Sequence, residues 1–156
     1  MLHIRRATHD DGPIAFDIRL QAIRSQCIGA YTAEQMLTWT RGAAEDGYTA
    51  LMAKPFYLGC VDGEPVATGM LDPDHREVGA LFVLPGFIGR GFGGQMLAHL
   101  EQVALQLGIE EVGLDATLNA TAFYRRRGYE GGEQSIYHSP TGLALACVPM
   151  VKRLSD

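Results

Sequence analysis

The chain has 156 residues, of which 47% are hydrophobic and 20% charged, a composition typical of a folded globular protein and not of a disordered one. This length suits a single domain, residues 1–156, that buries its own core. The formal net charge of -5, without any long run of lysine or arginine, argues against a nucleic-acid partner.

The cysteines and the N-terminus predict the compartment. Cys27, Cys60 and Cys147 are odd in number and widely spaced, and no CxxC or HxxxH ligand spacing occurs, so the sequence predicts neither a disulfide framework nor a metal site. The first residues form no apolar leader, and no segment approaches ~18 continuous apolar residues. We therefore expect a cytoplasmic protein with reduced thiols and no membrane partner.

The N-terminal part of the chain predicts one strand and two helices. Leu2 and Ile4 alternate with polar neighbours, as in a short strand. Thr8–Asp11 and Thr32–Gln35 are capping boxes, in which a threonine and a polar residue three positions later satisfy free amides at a helix start. The first helix is predicted to extend to about Ser25.

A group of strands follows. The apolar patterns predict strands at Phe56–Val61, Pro65–Leu71 and Glu77–Leu84. Asp62-Gly63 is a strong hairpin signal, because glycine tolerates positive φ, and Asp72–Asp74 forms a second turn. Pro85 cannot donate to a ladder and ends the third strand.

The C-terminal half continues the alternation of helices and strands. After a glycine-rich segment, apolar residues on one face predict a helix that Gly108 ends. The remaining predicted elements are a strand at Glu111–Ala116, a helix at Asn119–Arg127 closed by Gly128, and strands at Tyr129–His138 and Leu143–Lys152 around a Pro140–Gly142 turn. The order β-α-α-β-β-β-α-β-α-β-β predicts an α/β fold with one mixed sheet.

The segment LFVLPGFIGRGFGGQML joins a predicted strand to a helix and contains five glycines within nine residues. Glycines let the backbone turn tightly and approach a ligand closely, and the first amides of the next helix have no intrahelical partner. Such a helix start binds phosphate groups. A connector without a ligand is the alternative, but its glycines would cost conformational entropy without any gain.

Gly89–Gly94 also matches the GxGxxG fingerprint of dinucleotide-binding folds, with Asp115 at the place of the ribose-binding acid. That fold needs further strand–helix–strand repeats, and only 41 residues follow Asp115. The fingerprint also normally opens its domain, whereas more than half of this chain precedes it. The dinucleotide interpretation, and with it a nicotinamide-dependent oxidoreductase, is therefore disfavoured.

The glycine-rich segment resembles the central motif of the GNAT superfamily of acyl-CoA N-acyltransferases, a strand followed by Gln/Arg-x-x-Gly-x-Gly/Ala and a helix. Gly91 and Gly93 match its two small positions. A second family motif resembles LDATLNATAFYRRRGYE. The residues that match it in type and spacing are Asn119, Ala122, Phe123, Tyr124, Gly128 and Tyr129.

The resemblance covers nearly the whole chain and implies a GNAT-like fold with acetyl-CoA as cosubstrate. It implies a cofactor site with backbone contacts to the pantetheine arm and to the pyrophosphate. The cofactor-binding residues that it implies are Leu81, Phe82, Val83, Ile88, Gly89, Arg90, Gly91, Phe92, Gly93, Gly94 and Asn119. Ile88 stands where the family has Gln or Arg, so only its amide can donate. Asn119 either contacts the cofactor or caps the short helix. Arg125–Arg127 is either a solvated helix end or a contact to the adenosine phosphate.

The resemblance also implies two catalytic side chains. Tyr124 stands at the general-acid position, where a phenol with an ordinary pKa near ~10 stays protonated and can donate to the departing thiolate. Its alternative is a packing tyrosine. Glu77 lies 14 residues before Gly91, where the histone-acetylating branch carries its catalytic base. Its alternatives are an exposed strand carboxylate or a water relay through Asp72–His75.

The acceptor implied by the resemblance is a small-molecule amine or a peptide amino group, and the acidic net charge favours a cationic amine. Tyr31 and Trp39 are expected to line the acceptor pocket unless they belong to the core. A homodimer is allowed, because dimers are frequent in such families. A non-catalytic acyl-CoA sensor is the competing function; Ile88 favours it, whereas Tyr124 and Glu77 favour an enzyme.

Overall fold

The computed structural model describes residues 1–40, 48–138 and 143–155. The helices are α1 (Gly12–Gln26), α2 (Ala33–Trp39), α3 (Phe92–Gln106) and α4 (Thr121–Arg125). The strands are β1 (His3–Arg6), β2 (Phe56–Val61), β3 (Glu64–Asp72), β4 (Glu77–Val83), β5 (Glu111–Thr117), β6 (Ser135–His138) and β7 (Ala144–Arg153). No helix in these ranges is long and apolar enough to cross a membrane.

The seven strands form one sheet in the order β1-β2-β3-β4-β5-β7-β6, which confirms the predicted α/β class with a mixed sheet. All neighbouring strands are antiparallel except β4 and β5. These two parallel strands are paired at one position, Glu77 with Gly113, and they diverge beyond it. We call the space between them the β4–β5 gap.

Helices cover both faces of the sheet, because successive side chains of a strand point to opposite faces. On β2, Phe56 and Leu58 pack in a buried cluster with Ala15 of α1. Tyr57, between them, packs its ring edge-on against His99 of α3, with the ring centroids 4.5 Å apart. The sheet therefore lies between α1 and α3.

A bulge bends β4 where it leaves β5. The register with β3 shifts so that β4 contains one residue more than β3 across the bulge. Ala80 adopts a left-handed backbone with φ of 50°. The hydroxyl of Thr68, on β3, donates a hydrogen bond of 2.6 Å to the carbonyl oxygen of Ala80. Thr68 is completely buried, so this bond holds the bulge in a place without water.

Several local predictions are confirmed. Asp62 and Gly63 both have positive φ, 51° and 82°, as a primed hairpin turn requires. The box at Thr32 forms in both directions, with hydrogen bonds of 3.0 and 2.9 Å to Gln35. The box at Thr8 forms as well, but it starts a short 3-10 turn at His9–Asp11, and α1 begins at Gly12.

Two predicted elements are too long. The strand predicted at Tyr129–His138 is only β6, because residues 131–134, with a bend at Glu133, leave the pairing with β7 between the isolated bridge Glu130–Val151 and Ser135. The short helix is α4 alone; Ala120 is its N-cap, and no side chain caps it, so the capping role for Asn119 is wrong. The predicted Pro140–Gly142 turn lies outside the described residues.

Replacing Thr68 by valine keeps the shape of the side chain and removes the hydroxyl that holds the bulge. We expect urea unfolding to show a loss of about 1–2 kcal/mol, because a buried hydrogen bond is lost. The matched control is Thr40→Val, also buried. The Thr40 hydroxyl donates to the Met36 carbonyl, which also accepts a hydrogen bond from the backbone amide of Thr40. After Thr40→Val this carbonyl still has a partner, so we expect a smaller loss. Equal losses in the two variants would contradict this role of Thr68.

Candidate functional site

Residues Pro85–Gly94, here called the glycine loop, lead from β4 into α3. Gly89 and Gly91 have φ of 85° and 80°, a conformation that favours glycine. The first α3 hydrogen bond runs from the Gln95 amide to the Gly91 carbonyl, so the amides just before Gln95 have no intrahelical partner. A Cβ added at Gly89 or Gly91 would meet no atom within 4 Å. The loop therefore offers free amides to open space, as a phosphate site requires.

The last two glycines of the loop have a packing role. A Cβ on Gly93 would lie 3.3 Å from the Phe123 ring, and one on Gly94 would lie 2.9 Å from the Arg127 guanidinium. Arg127 stacks on Phe123 at 3.8 Å from the ring centroid and donates a hydrogen bond to the Phe123 carbonyl. The guanidinium thus lies at the start of α3, where it adds positive charge next to the free amides.

Ile88 and Phe92 are the predicted cofactor-binding residues of the loop with apolar side chains, and only that of Phe92 is buried. Ile88 is 51% exposed, so its side chain lies in solvent. Phe92 is buried in a cluster with Leu2, Val66 and Ala67. The Phe92 side chain anchors the start of α3 to the sheet, and only its amide is available to a ligand.

The backbone of β4 presents polar groups to the β4–β5 gap. The Leu84 amide donates to Val66 of β3, and hydrogen-bonding groups alternate along an antiparallel strand. Beyond the bulge, Phe82 and Leu84 therefore form the hydrogen bonds to β3, opposite Thr68 and Val66. The backbone amides and carbonyls of Leu81 and Val83 point away from β3 and towards the gap. The Val83 carbonyl accepts a hydrogen bond of 2.8 Å from the side chain of Gln26, on α1.

A cavity of about 830 Å³ occupies the gap and extends beneath α1. The predicted site residues that line it are Tyr31, Trp39, Glu77, Leu81, Phe82, Asn119 and Tyr124. The structure thus brings both predicted catalytic side chains into one cavity. The glycine loop lies beyond its lining, at the end of β4.

Tyr124 is buried against two aromatic rings, Phe123 and Tyr129, with ring centroids 5.1 and 5.7 Å away. Burial alone raises the pKa of its phenol to about 12. By contrast, the Tyr129 hydroxyl donates a 2.9 Å hydrogen bond to Glu101. Tyr124 therefore stays protonated at neutral pH on the wall of the cavity.

Glu77 is exposed at the point where β4 and β5 separate. It lines the large cavity and also a smaller one of about 360 Å³, which it shares with His75 and Asp115. Asp72 binds Lys54 and His75, each at 3.0 Å. Burial acts to raise the pKa of Asp72, but the hydrogen bonds with Lys54 and His75 outweigh it and lower that pKa. Asp72 and His75 are not part of the large cavity's lining.

Tyr31 and Trp39 line the cavity and also belong to the core. Their rings pack edge-on, with centroids 5.6 Å apart. The Tyr31 hydroxyl donates to the Ala146 carbonyl at 2.6 Å and accepts from the Leu118 amide at 3.1 Å. This hydroxyl joins the end of β5 to the start of β7. Tyr31 is therefore a core residue and also a lining residue of the cavity.

Asn119 lies beside a buried cysteine at the edge of the cavity. Burial raises the pKa of the Cys27 thiol to about 11, although a hydrogen bond with Asn119 acts in the opposite direction. Cys27, Cys60 and Cys147 are all buried free thiols. Asn119 lines the cavity next to Cys27, a position from which it could contact a ligand.

Sequence reasoning missed several polar and aromatic residues of the cavity wall. They are Phe16, Arg19, Gln26, Tyr48 and Tyr137. The one available signal was the position of Arg19 on α1 beside buried Ile18, Ala22 and Ile23. A charged residue at the edge of an apolar helix face is common on protein surfaces, so this signal was too weak to use.

The free amides, the diverging strands and the cavity fit a phosphate-bearing ligand with an extended arm. The sequence profile of the Acetyltransferase (GNAT) family matches residues 22–129, and the chain belongs to that family. No curated protein matches.

Solved structures agree with the family. A GCN5-related N-acetyltransferase from Rhodopseudomonas palustris is 25% identical, with a TM-score of 0.89 over 97% of this chain and 94% of that one. PaiA N-acetyltransferase from Thermoplasma acidophilum, in complex with coenzyme A, has a TM-score of 0.76 at 16% identity, covering 98% and 99%. YncA from Salmonella typhimurium, with its cofactor acetyl-CoA, has a TM-score of 0.73 at 18% identity, covering 100% and 95%. The fold is that of these proteins.

Acetyl-CoA is the cosubstrate of this family member. The residues present fit it: the glycine loop offers free amides and open space, and Arg127 adds positive charge. Along β4, the polar groups of Leu81 and Val83 face the gap. No other feature of the described residues combines these properties at one end of a helix.

Gly91→Glu should abolish acetyl-CoA binding, because it introduces a side chain and a negative charge among the free amides. The matched control is Gly108→Glu at the other end of α3. The φ of Gly108 is 79° and that of Gly91 is 80°, and a Cβ added at either residue meets open space. Backbone strain and net charge change equally in the two variants. We expect isothermal titration to show a loss of about 100-fold or more for Gly91→Glu alone. Equal affinities in the two folded variants would contradict the assignment.

Proposed function

We propose that the protein is an N-acetyltransferase that transfers the acetyl group of acetyl-CoA to a primary amine by direct attack on the thioester. The observation that carries the proposal is the shared cavity: Tyr124 and Glu77 line one space with the gap-facing strand β4. A donor of protons and an acceptor of protons thus flank the place where the pantetheine arm would end.

Binding is divided between two regions of the chain. The glycine-loop amides and Arg127 hold the phosphates, and the backbone of Leu81 and Val83 holds the arm. The Val83 carbonyl already accepts one hydrogen bond, from Gln26, and its second lone pair remains for the arm. Acetyl-CoA supplies an acetyl group already activated as a thioester.

Tyr124 and Glu77 act at opposite ends of the transfer. Glu77 accepts the proton that the acceptor ammonium must lose before it can attack. Tyr124 donates a proton to the departing thiolate, for which its raised pKa keeps the phenol protonated. Each contributes about 100- to 10,000-fold, and the orientation of the two substrates in the cavity makes a further large contribution to the rate.

A non-catalytic acyl-CoA sensor is the second candidate. The observation in its favour is the exposed aliphatic side chain of Ile88, which cannot donate to a phosphate. The sensor would bind acetyl-CoA in titrations and release no free thiol with any amine. Thiol release with an acceptor amine would exclude it.

Tyr124→Phe removes one hydroxyl and keeps the ring in its aromatic surroundings. We expect the single-turnover rate to fall about 100-fold or more, with little change in acetyl-CoA affinity, because the proton is needed only as the thiolate leaves. A pKa of about 12 keeps the phenol protonated throughout ordinary assays, so this ratio of rates should be constant between about pH 7 and 10.

The control for this variant is Tyr129→Phe, which removes a neighbouring hydroxyl that binds Glu101 outside the cavity. Its single-turnover rate should match that of the parent protein. If Tyr124→Phe also turns over at the parent rate, Tyr124 is a packing residue and the general-acid role is wrong.

A further inference from the structure

The wall of the cavity that α1 forms contains a positive charge that has no counter-ion among the described residues. Arg19 is half-buried, and among the described residues no carboxylate forms an ion pair with it. Its guanidinium donates one hydrogen bond, of 3.1 Å, to the Trp39 carbonyl. A guanidinium has five N–H donors, so four of them have no hydrogen bond to the described residues and can bind a ligand. Burial lowers the pKa of Arg19, the cost expected for a cation away from water.

Aromatic rings fix the position of this guanidinium. It lies 5.5 Å from the centroid of the Phe16 ring and 5.9 Å from that of Tyr48. The Tyr48 ring packs edge-on against Phe16 at 5.3 Å and against Phe56 at 6.1 Å. A side chain held between rings is preorganised for a planar partner such as a carboxylate.

Tyr48 provides a second, independent indication. Its hydroxyl is buried and has no hydrogen-bond partner in residues 1–40, 48–138 and 143–155, although Tyr48 lines the cavity beside Arg19. Buried hydroxyls in folded proteins nearly always have a partner, so an orphaned one next to an unpaired cation indicates a missing acceptor. An anion is the acceptor that would satisfy both groups.

The other side of the cavity has the opposite charge. Glu77 and Asp115 line it where β4 and β5 diverge. Tyr137 also lines the cavity. Burial raises the pKa of its phenol, the charge of Arg19 acts to lower this pKa, and the charges of Asp115 and Glu77 act to raise it. The cavity is thus polarised, with a cation on the α1 side and carboxylates on the strand side.

We infer that the acceptor is an amine that also carries a carboxylate, as an amino acid does, with the carboxylate bound by Arg19 and Tyr48. This inference rests on the proposed N-acetyltransferase function and narrows its substrate class. The ammonium group lies on the side of Glu77, which removes its proton. A polycation is disfavoured, because Arg19 repels it inside the cavity even though the net charge of -5 attracts it to the surface.

The test compares acceptors that share an amine and differ in the carboxylate. Each of the twenty common amino acids is assayed for thiol release beside its amide and its decarboxylated amine, with spermidine as the polycation, at saturating acetyl-CoA. For the best acceptor we expect kcat/KM to exceed that of its two carboxylate-free analogues at least about 30-fold, the effect of an unpaired buried charge. A preference for spermidine or for the decarboxylated amines would overturn the inference.

Variants locate the effect. Arg19→Met should remove the preference for the carboxylate, and Arg19→Lys should restore part of it. Arg24→Met, at an exposed arginine of the same helix, should leave it unchanged. Tyr48→Phe should raise KM for the carboxylate-bearing acceptor alone and serves if the Arg19 variants do not fold. An equal loss with all acceptors in Arg19→Met and Tyr48→Phe would show a structural role and overturn the inference.

Direct binding separates this inference from the proposed function. The amino acids and their amides are titrated by calorimetry into the CoA-bound protein, without turnover. Carboxylate-dependent binding that Arg19→Met abolishes, without thiol release in any assay, would support the anion site and contradict the transferase. Thiol release with amines that do not depend on Arg19 would support the transferase and contradict the anion site. Absence of amino-acid binding to a protein that binds CoA would also overturn the inference.

Discussion

The separation of β4 from β5 is the constraint on which the rest of the site depends. The two parallel strands are paired at Glu77 and Gly113 and then diverge, which leaves the polar groups of β4 without a neighbouring strand. Unpaired backbone groups inside a protein are costly, so a ligand, water or a side chain must satisfy them. Gln26 does so at Val83. The gap therefore provides both the place for an extended arm and the energetic reason to bind one.

Much of the fold and of the cofactor site could be predicted, because the signals are local. The apolar run Phe56–Val61 predicted β2 with its observed bounds, and the capping box at Thr32 marked the start of α2. Gly91 could be recognised as a special position because its left-handed backbone favours glycine. The strand predicted from Tyr129 was too long because its pairing with β7, interrupted between Glu130 and Ser135, depends on contacts distant in sequence.

The acceptor side of the cavity could not be predicted, because tertiary packing assembles it. Arg19 and Tyr48 are far apart in the chain, and each alone resembles an ordinary surface or core residue. Their importance follows from their burial next to each other without an anionic partner among the described residues, which only the folded chain reveals. The bulge at Ala80 was also invisible, since alanine gives no signal for a left-handed backbone.

The most direct test of the central claim is a titration of the isotope-labelled protein with coenzyme A, followed by the backbone amide resonances. If the β4–β5 gap and the glycine loop bind the cofactor, the largest shifts will come from Leu81, Val83 and the amides of Gly89–Gly94. Amides at the far edge of the sheet, in β1, will keep their positions. Shifts confined to other surfaces, with Leu81 and Val83 unchanged at saturation, would contradict the account.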